Sequence, residues 1–484
     1  MGRLLTIILA LAALAPGPRG EWARFRGPNG SGVAETGALP AEFGPTRNVI
    51  WKTDLPQGYS SPVVSGNRIY LTGFRTGQLL SFALDRATGK VLWERQAPRD
   101  RREKLDQRNH PASPSAATDG ERVYFFFADY GLLAYDVNGK ELWRRPLGPF
   151  NNIYGMGASP ILVDDVVVLN CDQSTGSFIA AFDQKTGRER WRTPRVEARS
   201  GHSTPVIYTP PGGRAQIVVP GSFLLSAYDP RDGKRLWWVG GLSFELKSTP
   251  VISGDTLYIN GFGSPENQPG AKIEVGSAAD VFSERDSDQN GKLTVDELPT
   301  KHARDSLPFF DLNGDTFIDR EEWDYYKAAM ESENGMLAIK LGGAGDMTAS
   351  AVRWRYQRGI PQLPSPLLFE HALYMVNDSG GLVTTLNPET GALIQQGRLR
   401  VPSDRYYASP VAGDGKVFIS SESGKVVVLP PGGGLDAIAV NDLQDSIYAT
   451  PALVDQRIYI RTLNSLYCFG LSLPPKSGSH KTEK

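Results

Sequence analysis

The chain is poor in the residues that most often mark covalent chemistry. Of 484 residues only two are cysteine, Cys171 and Cys468, and only five are histidine. Nucleophile and phosphate-cradling signatures are missing as well: no G-x-S-x-G, H-E-x-x-H, P-loop or G-x-G-x-x-G occurs. Neither sign of charge dominates. Lys and Arg number 52 against 53 Asp and Glu, a net charge of −1, and no basic run is present, which excludes the field that gathers nucleic acid. Long apolar stretches are also wanting. The run Leu4 to Leu14, preceded by Arg3 and followed by small residues around Ala15, is too short to span a bilayer and has the layout of a secretory signal. Residues 1–20 are therefore expected to direct export to the periplasm or beyond, leaving a monomeric chain that starts near Glu21 and has no transmembrane span.

What the sequence has in quantity is repetition. Ser-Pro or Thr-Pro recurs at intervals of roughly 45 residues, at Pro62, Pro114, Pro160, Pro205, Pro250, Pro366, Pro410 and Pro451. Five of these segments close on tryptophan, as in ALDRATGKVLW ending at Trp93, AYDVNGKELW at Trp143, AFDQKTGRERW at Trp191 and AYDPRDGKRLW at Trp237. Within the first unit, strands are expected at Ser61–Ser65, Arg68–Gly73, Gln78–Asp85 and Val91–Gln96, with a turn at Thr88-Gly89. Such four-stranded units cannot bury both faces alone, so they must stack around an axis. An all-β, eight-bladed β-propeller is predicted.

Gly89, Gly139, Gly187, Gly233 and Gly391 share the turn slot where positive φ is required, and the nearby tryptophan is expected to lie flat over the gap between blades. Units six and seven place Gln395 and Ile438 in the tryptophan slot, so their seams should pack less well. The last unit lacks a fourth strand. A spare one, NVIWKTD from Asn48 to Asp54, is expected to close the ring from the other end. On this map Cys171 and Cys468 fall in blades three and eight, which are not neighbours, so both are expected as buried fillers without a disulfide.

The A-x-D-x-x-T-G-x-x-x-W signature resembles the PQQ-like (pyrroloquinoline-quinone-like) β-propeller repeat. That family includes quinoprotein alcohol dehydrogenases and BamB-like outer-membrane assembly propellers. The segment EWARFRGPNGSG, Glu21 to Gly32, is similar to the W-x-x-F-R-G-P leader of secreted bacterial propellers of this group. The resemblance implies the fold and leaves the function open. Quinone enzymes of the family carry adjacent cysteines, propeller side chains on calcium and an aspartate base. No two cysteines adjoin here, which argues against bound PQQ. A binding or scaffold protein of the cell envelope, engaging an envelope protein or a small ligand, is expected, with a PQQ-dependent oxidoreductase as the alternative.

Blade five is interrupted by a segment that reads as two calcium loops. Asp286 to Glu297, DSDQNGKLTVDE, matches D-x-[DN]-x-[DN]-G-x5-E at each defined position. Calcium takes six to eight oxygens, which Asp286, Asp288, Asn290, the Lys292 carbonyl, Thr294 through water and bidentate Glu297 can supply. The second loop offers Asp311, Asn313, Asp315, the Phe317 carbonyl, Asp319 and Glu322, but Thr316 stands where glycine is expected, so weaker binding is predicted. The expected organisation is an arm over 21–47, propeller over 48–263 and 336–471, the EF-hand pair over 264–335 and a disordered tail over 472–484.

One further constellation could bind a ligand. Tyr59, His202, Lys247, Tyr407 and Tyr448 stand three residues before their prolines, with His110 one position further out in blade two, and should ring one mouth of the channel. Together with Arg405 they read either as a pocket for an anionic or aromatic ligand or as tyrosines packed into a plug. The insertion and the charged segment 97–109, with Arg101 and Arg102, are expected on the same face.

Overall fold

The structure is a computed structural model that describes residues 21–471 apart from 264–268, 271, 400, 402 and 403. The expected export signal and tail lie outside the described residues. Eight antiparallel sheets form the blades. In blade one the strands run Val63–Ser65, Arg68–Arg75, Gln78–Asp85 and Val91–Ala97, here lettered A to D from the axis outward. The alternation of apolar and polar residues weakens from D inward because A to C are covered on both faces while D meets water. Blade eight takes its outer strand from the other end of the chain: Val49–Asp54 pairs antiparallel with Ser465–Phe469. The predicted eight-bladed propeller, closed by an N-terminal strand, is what forms.

Five of the eight seams are locked by a tryptophan. Trp51, Trp93, Trp143, Trp191 and Trp354 donate their indole N–H to carbonyls of Arg86, Val137, Gln184, Pro230 and Pro388 in the following blade, at 2.7–3.1 Å. The ring then lies on the glycine of that blade's C–D turn. A Cβ on Gly187 would stand 2.5 Å from the Trp143 ring, and the backbone there has φ +68°, so both space and conformation exclude a side chain. Trp237 is the exception. Blade five has no tight C–D turn; Gly345–Asp346 adds a parallel strand to blade four instead, and the Trp237 indole bonds Gln216 at 2.8 Å.

Two seams without tryptophan are filled by other means, contrary to the expectation of looser packing. In blade seven Ala439 faces Val428 in the tryptophan register while Ile438 is exposed. The gap between blades seven and eight is taken by the N-terminal arm, whose Phe43 ring lies 4.8 Å from Phe469 and 6.4 Å from Phe418, with its N–H on Asn441. Between blades six and seven, Tyr374 reaches across to accept the Gly433 N–H at 2.8 Å.

The same arm crosses the axis on the hairpin side. Trp22 pairs with Val64 of blade one, Arg24 donates to the Pro205 carbonyl of blade four, Arg26 to Pro366 of blade six, and Ala34 to Ala412 of blade seven. Burial pushes both arginines down to about 9, and both remain cationic at neutral pH while bonding main-chain carbonyls. Cys171 and Cys468 are buried and unbridged, and burial raises both thiols, Cys468 to about 12. Neither is a nucleophile at neutral pH.

If the arm substitutes for the missing tryptophan, Phe43→Ala should cost about 3 kcal/mol in urea unfolding. Ile438→Ala, at the sequence-aligned position but exposed, should change stability by less than about 0.5 kcal/mol. Equal effects would remove the arm from the seam.

Candidate functional site

The channel wall consists of two stacked rings. The lower one is Ser61, Ser115, Ser159, Thr204, Thr249, Ser365, Ser409 and Thr450, one hydroxyl per blade. Seven of these eight steps are bridged: the N–H of Ser61 bonds the Ser115 hydroxyl, Ser115 bonds Ser159, Ser159 bonds Thr204, Thr249 bonds Ser365, Ser365 bonds Ser409, Ser409 bonds Thr450 and Thr450 returns to Ser61, at 2.9–3.0 Å. Blades four and five are joined instead by the Ser203 hydroxyl on the Ser248 carbonyl. In blades one, three, four, six, seven and eight the hydroxyl preceding the proline is thus a structural acceptor, which sequence reading missed although its regularity was visible. In blade two the ring residue is Ser115, not Ser113, so that strand starts two residues later than the Ser-Pro dipeptide suggests. Ser115 must keep its own N–H to reach Ser159, which a residue at a proline position could not.

Two residues above each hydroxyl stands the upper ring: Tyr59, Ser113, Gly157, His202, Lys247, Leu363, Tyr407 and Tyr448. The half-open cavity between them is about 140 Å³, room for a few waters, with Phe25 of the arm in its lining. Tyr59, His202, Lys247, Tyr407 and Tyr448 therefore share one ring, while His110 lies behind Tyr59. The aromatic members stack on each other in a row: His110 on Tyr59 at 4.8 Å, Tyr59 on Tyr448 at 4.0 Å, and Tyr448 beside Tyr407 at 5.3 Å. Tyr448 donates to Glu422 at 2.8 Å. Arg405 is exposed in an adjoining groove of about 550 Å³, with Arg108, Asp378, Tyr407 and Glu422. Burial raises the Asp378 carboxyl, although it accepts the N–H groups of Gln362 and Leu363.

Lys247 is not a free cation awaiting an anion. It is buried in an ion pair with Glu245 at 2.8 Å and sits 4.2 Å above the Tyr154 ring. Glu245 also accepts from Gln362 at 2.7 Å. His202 packs edge-on to Tyr154, and burial together with the Lys247 charge depresses it to about 3; burial holds His110 near 4. Both imidazoles are neutral at neutral pH. In the charged segment over 97–109 three arginines are likewise engaged internally, Arg99 with Asp129, Arg101 with Glu103 and Arg108 with Asp106, while Arg102 and Lys104 are exposed.

Tyr154 also touches Phe309 of the insertion, at 5.9 Å, which puts the insertion on the face of this mouth. The insertion holds three helices, α1 (Ala278–Arg285), α2 (Lys301–Phe310) and α3 (Arg320–Glu331). Ser277 and Thr300 cap the first two, and Asp319 with Glu322 form a capping box on the third. Leu293 and Ile318 exchange main-chain bonds at 2.8 and 2.9 Å, tying the two loops together over a core of Val281, Phe282, Phe310, Trp323 and Tyr326.

Both loops curl around their first carboxylate. Asp286 accepts the N–H of Asn290 and Gly291; Asp311 accepts those of Gly314, Asp315 and Thr316. Gly291 has φ +80° and Thr316 +70°, so the threonine does occupy the left-handed conformation that favours glycine. Oxygens of Asp286, Asp288 and Glu297 lie within 4.8 Å of one another, the one such group among the described residues. Bonds from Ser287 and Thr294 hold Glu297 down to about 2, whereas burial raises Glu322. In the second loop Asp315 is engaged by Lys292 of the first. Asn290, Lys292, Thr294, Asn313, Phe317 and Asp319 occupy the remaining expected loop positions.

These features define an eight-bladed propeller of PQQ-like repeats, floored by its own arm and carrying a helical pair at the open mouth. The chain belongs to the family described as outer membrane protein assembly factor BamB, whose model matches residues 34–167, 175–306 and 328–472. It is 24% identical to the assembly factor BamB of Shewanella oneidensis over 421 residues, 82% of this chain and 92% of that protein. It is 33% identical to the 1-butanol dehydrogenase (quinone) of Thauera butanivorans over 191 residues, 36% of this chain but only 29% of the dehydrogenase. The crystal structure of BamB from Moraxella catarrhalis superposes with a TM-score of 0.53 at 13% identity, covering 89% of this chain and 99% of that one. Among the described residues no helix is long and apolar enough to cross a membrane.

Removing Lys247 should expose how the mouth is held. Lys247→Met leaves Glu245 buried and unpaired and should cost about 3–5 kcal/mol in chemical denaturation. Adding Glu245→Leu should recover a large part of that loss; a double variant as unstable as the sum of two singles would contradict the pairing.

Proposed function

We propose that this chain is an exported, BamB-like binding or scaffold protein of the cell envelope whose helical insertion binds calcium. The observation that carries the first part is similarity along nearly the whole length of an assembly factor. The export reading rests on the signal-like pattern of residues 1–20. Partners are expected on the insertion side. There the groove of Arg405, Glu422 and Asp378 offers unevenly charged walls, and long loops on a rigid scaffold present variable surface.

A second reading, a PQQ-dependent oxidoreductase, is favoured by one observation, the 33% identity to a quinone-linked butanol dehydrogenase. Against it stand the separated, buried cysteines and a mouth filled by the row of stacked rings. Photo-crosslinkers placed at Gln107 and Arg405 should capture an envelope protein in cells, while those at Lys90 and Lys140, beside the opposite hairpins, should not. Equal capture from both faces would refute the assignment. Purified protein given PQQ and calcium should neither retain a chromophore nor reduce dye; doing both would establish the second reading instead.

Calcium is assigned first to the loop Asp286–Glu297, with side-chain oxygens from Asp286, Asp288, Asn290 and Glu297 and the Lys292 carbonyl. The convergence of three carboxylates and the left-handed Gly291 support it. The second loop should bind more weakly, because Thr316 adopts a strained φ and Asp315 must first leave Lys292. Calorimetry should therefore show two classes of site. Glu297→Gln should weaken the tighter at least tenfold, and Glu322→Gln should affect only the weaker. Equal losses would overturn the ranking.

A further inference from the structure

The two loops differ in position as much as in composition. The hydrogen bonds and ion pair of the first loop's side chains stay within the insertion. The second is clamped to the propeller from several sides: its Leu312 carbonyl accepts the Asn151 side-chain N–H at 2.8 Å, and Glu321, the residue before its closing glutamate, pairs with Arg199. The Tyr325 hydroxyl of α3 donates to the Arg199 carbonyl at 3.1 Å and lies 3.2 Å from the Ser222 hydroxyl. Phe310, the residue before Asp311, stacks on Phe244 at 5.7 Å, and Phe309 contacts Tyr154. Between the loop and blade three lies a cleft of about 370 Å³, walled by Asn313, Asp319 and Glu322 on one side and by Ser174, Thr175 and Ser177 on the other.

Resting on the calcium reading, we infer that the second loop is a docking-dependent cation site: its occupancy and its seating on the propeller rim are coupled, and the coupling ends at the channel mouth. Binding there requires Asp315 to exchange Lys292 for the cation and the Thr316 turn to be held in a left-handed conformation. The clamp supplies that restraint, since Leu312, Glu321 and the end of α2 are fixed by propeller residues rather than by the insertion alone. Reciprocity follows from linkage: whatever the rim does for cation affinity, the cation does for the rim. The element that moves in register is the turn of residues 150–156. It carries both Asn151, which holds the loop, and Tyr154, whose ring meets Phe309, His202 and Lys247 and whose carbonyl accepts from Asn109 at 2.8 Å. Filling the first loop leaves these contacts alone.

The test uses the full chain and calcium alone. In calorimetry the double variant Asn151→Ala, Tyr325→Phe, which touches no proposed ligand, should weaken the lower-affinity site about tenfold and leave the tighter one within twofold. Hydrogen exchange of residues 150–156 should slow as calcium fills the weaker site in the parent and in Glu297→Gln, and should not respond in Glu322→Gln. The inference is overturned if the clamp variant keeps both affinities, or if protection of 150–156 follows the tighter site or ignores calcium. A parent chain that takes up no calcium at all would be a different failure, removing the calcium reading itself. Loss of helical signal in the clamp variant without calcium would likewise overturn it, since the insertion would then need the rim to fold.

Discussion

A ring of blades closes only when its last blade is complete, and here the completing strand is contributed from the far end of the chain. Val49–Asp54 completes the sheet begun by Ala452–Val454, so the blade that joins the two ends is the only one built from both. The rest follows from how one blade meets the next. At the axis, a hydroxyl accepts the N–H of the preceding blade; near the periphery, an indole lies on a glycine. These two contacts fix blade-to-blade distance at both radii, leaving the loops free to vary without disturbing the angle between sheets.

Most of this architecture is legible in the sequence because its signals are local and repeated. In the first four units the turn glycine and the tryptophan sit within a few residues of one another, so their meaning is repeated. What could not be read was whatever depends on distant partners. Phe43 gives no hint that it will occupy a seam between residues near 418 and 469, and the arm as a channel floor depends on carbonyls in blades four and six. The blade-two register slipped for a different reason: a Ser-Pro dipeptide occurs one step before the serine that actually joins the ring.

The mouth shows the same division. That Tyr59, His202, Lys247, Tyr407 and Tyr448 converge was visible from their constant spacing. Their chemistry was not, because Glu245, Glu422 and Tyr154 come from positions without a repeat counterpart and turn an apparent cluster of free groups into mutual partners. A lysine predicted as an anion holder becomes one half of a buried ion pair. The two acidic loops proposed to hold calcium lie at the other extreme, since a twelve-residue pattern carries its carboxylates, its bend and its closing glutamate in one contiguous stretch.

The closing strand also sets a timetable. Residues 49–54 are made long before their pairing partners at 465–469, so the first strand stays unmatched through synthesis of everything between them. Contacts of such separation form late, and each blade added before then leaves an uncovered sheet face at both ends of a growing arc. A nascent molecule of this kind is most vulnerable to mispairing with a second copy just before completion, when the exposed outer edge of Ser465–Phe469 is shaped to accept a strand identical to the one it awaits.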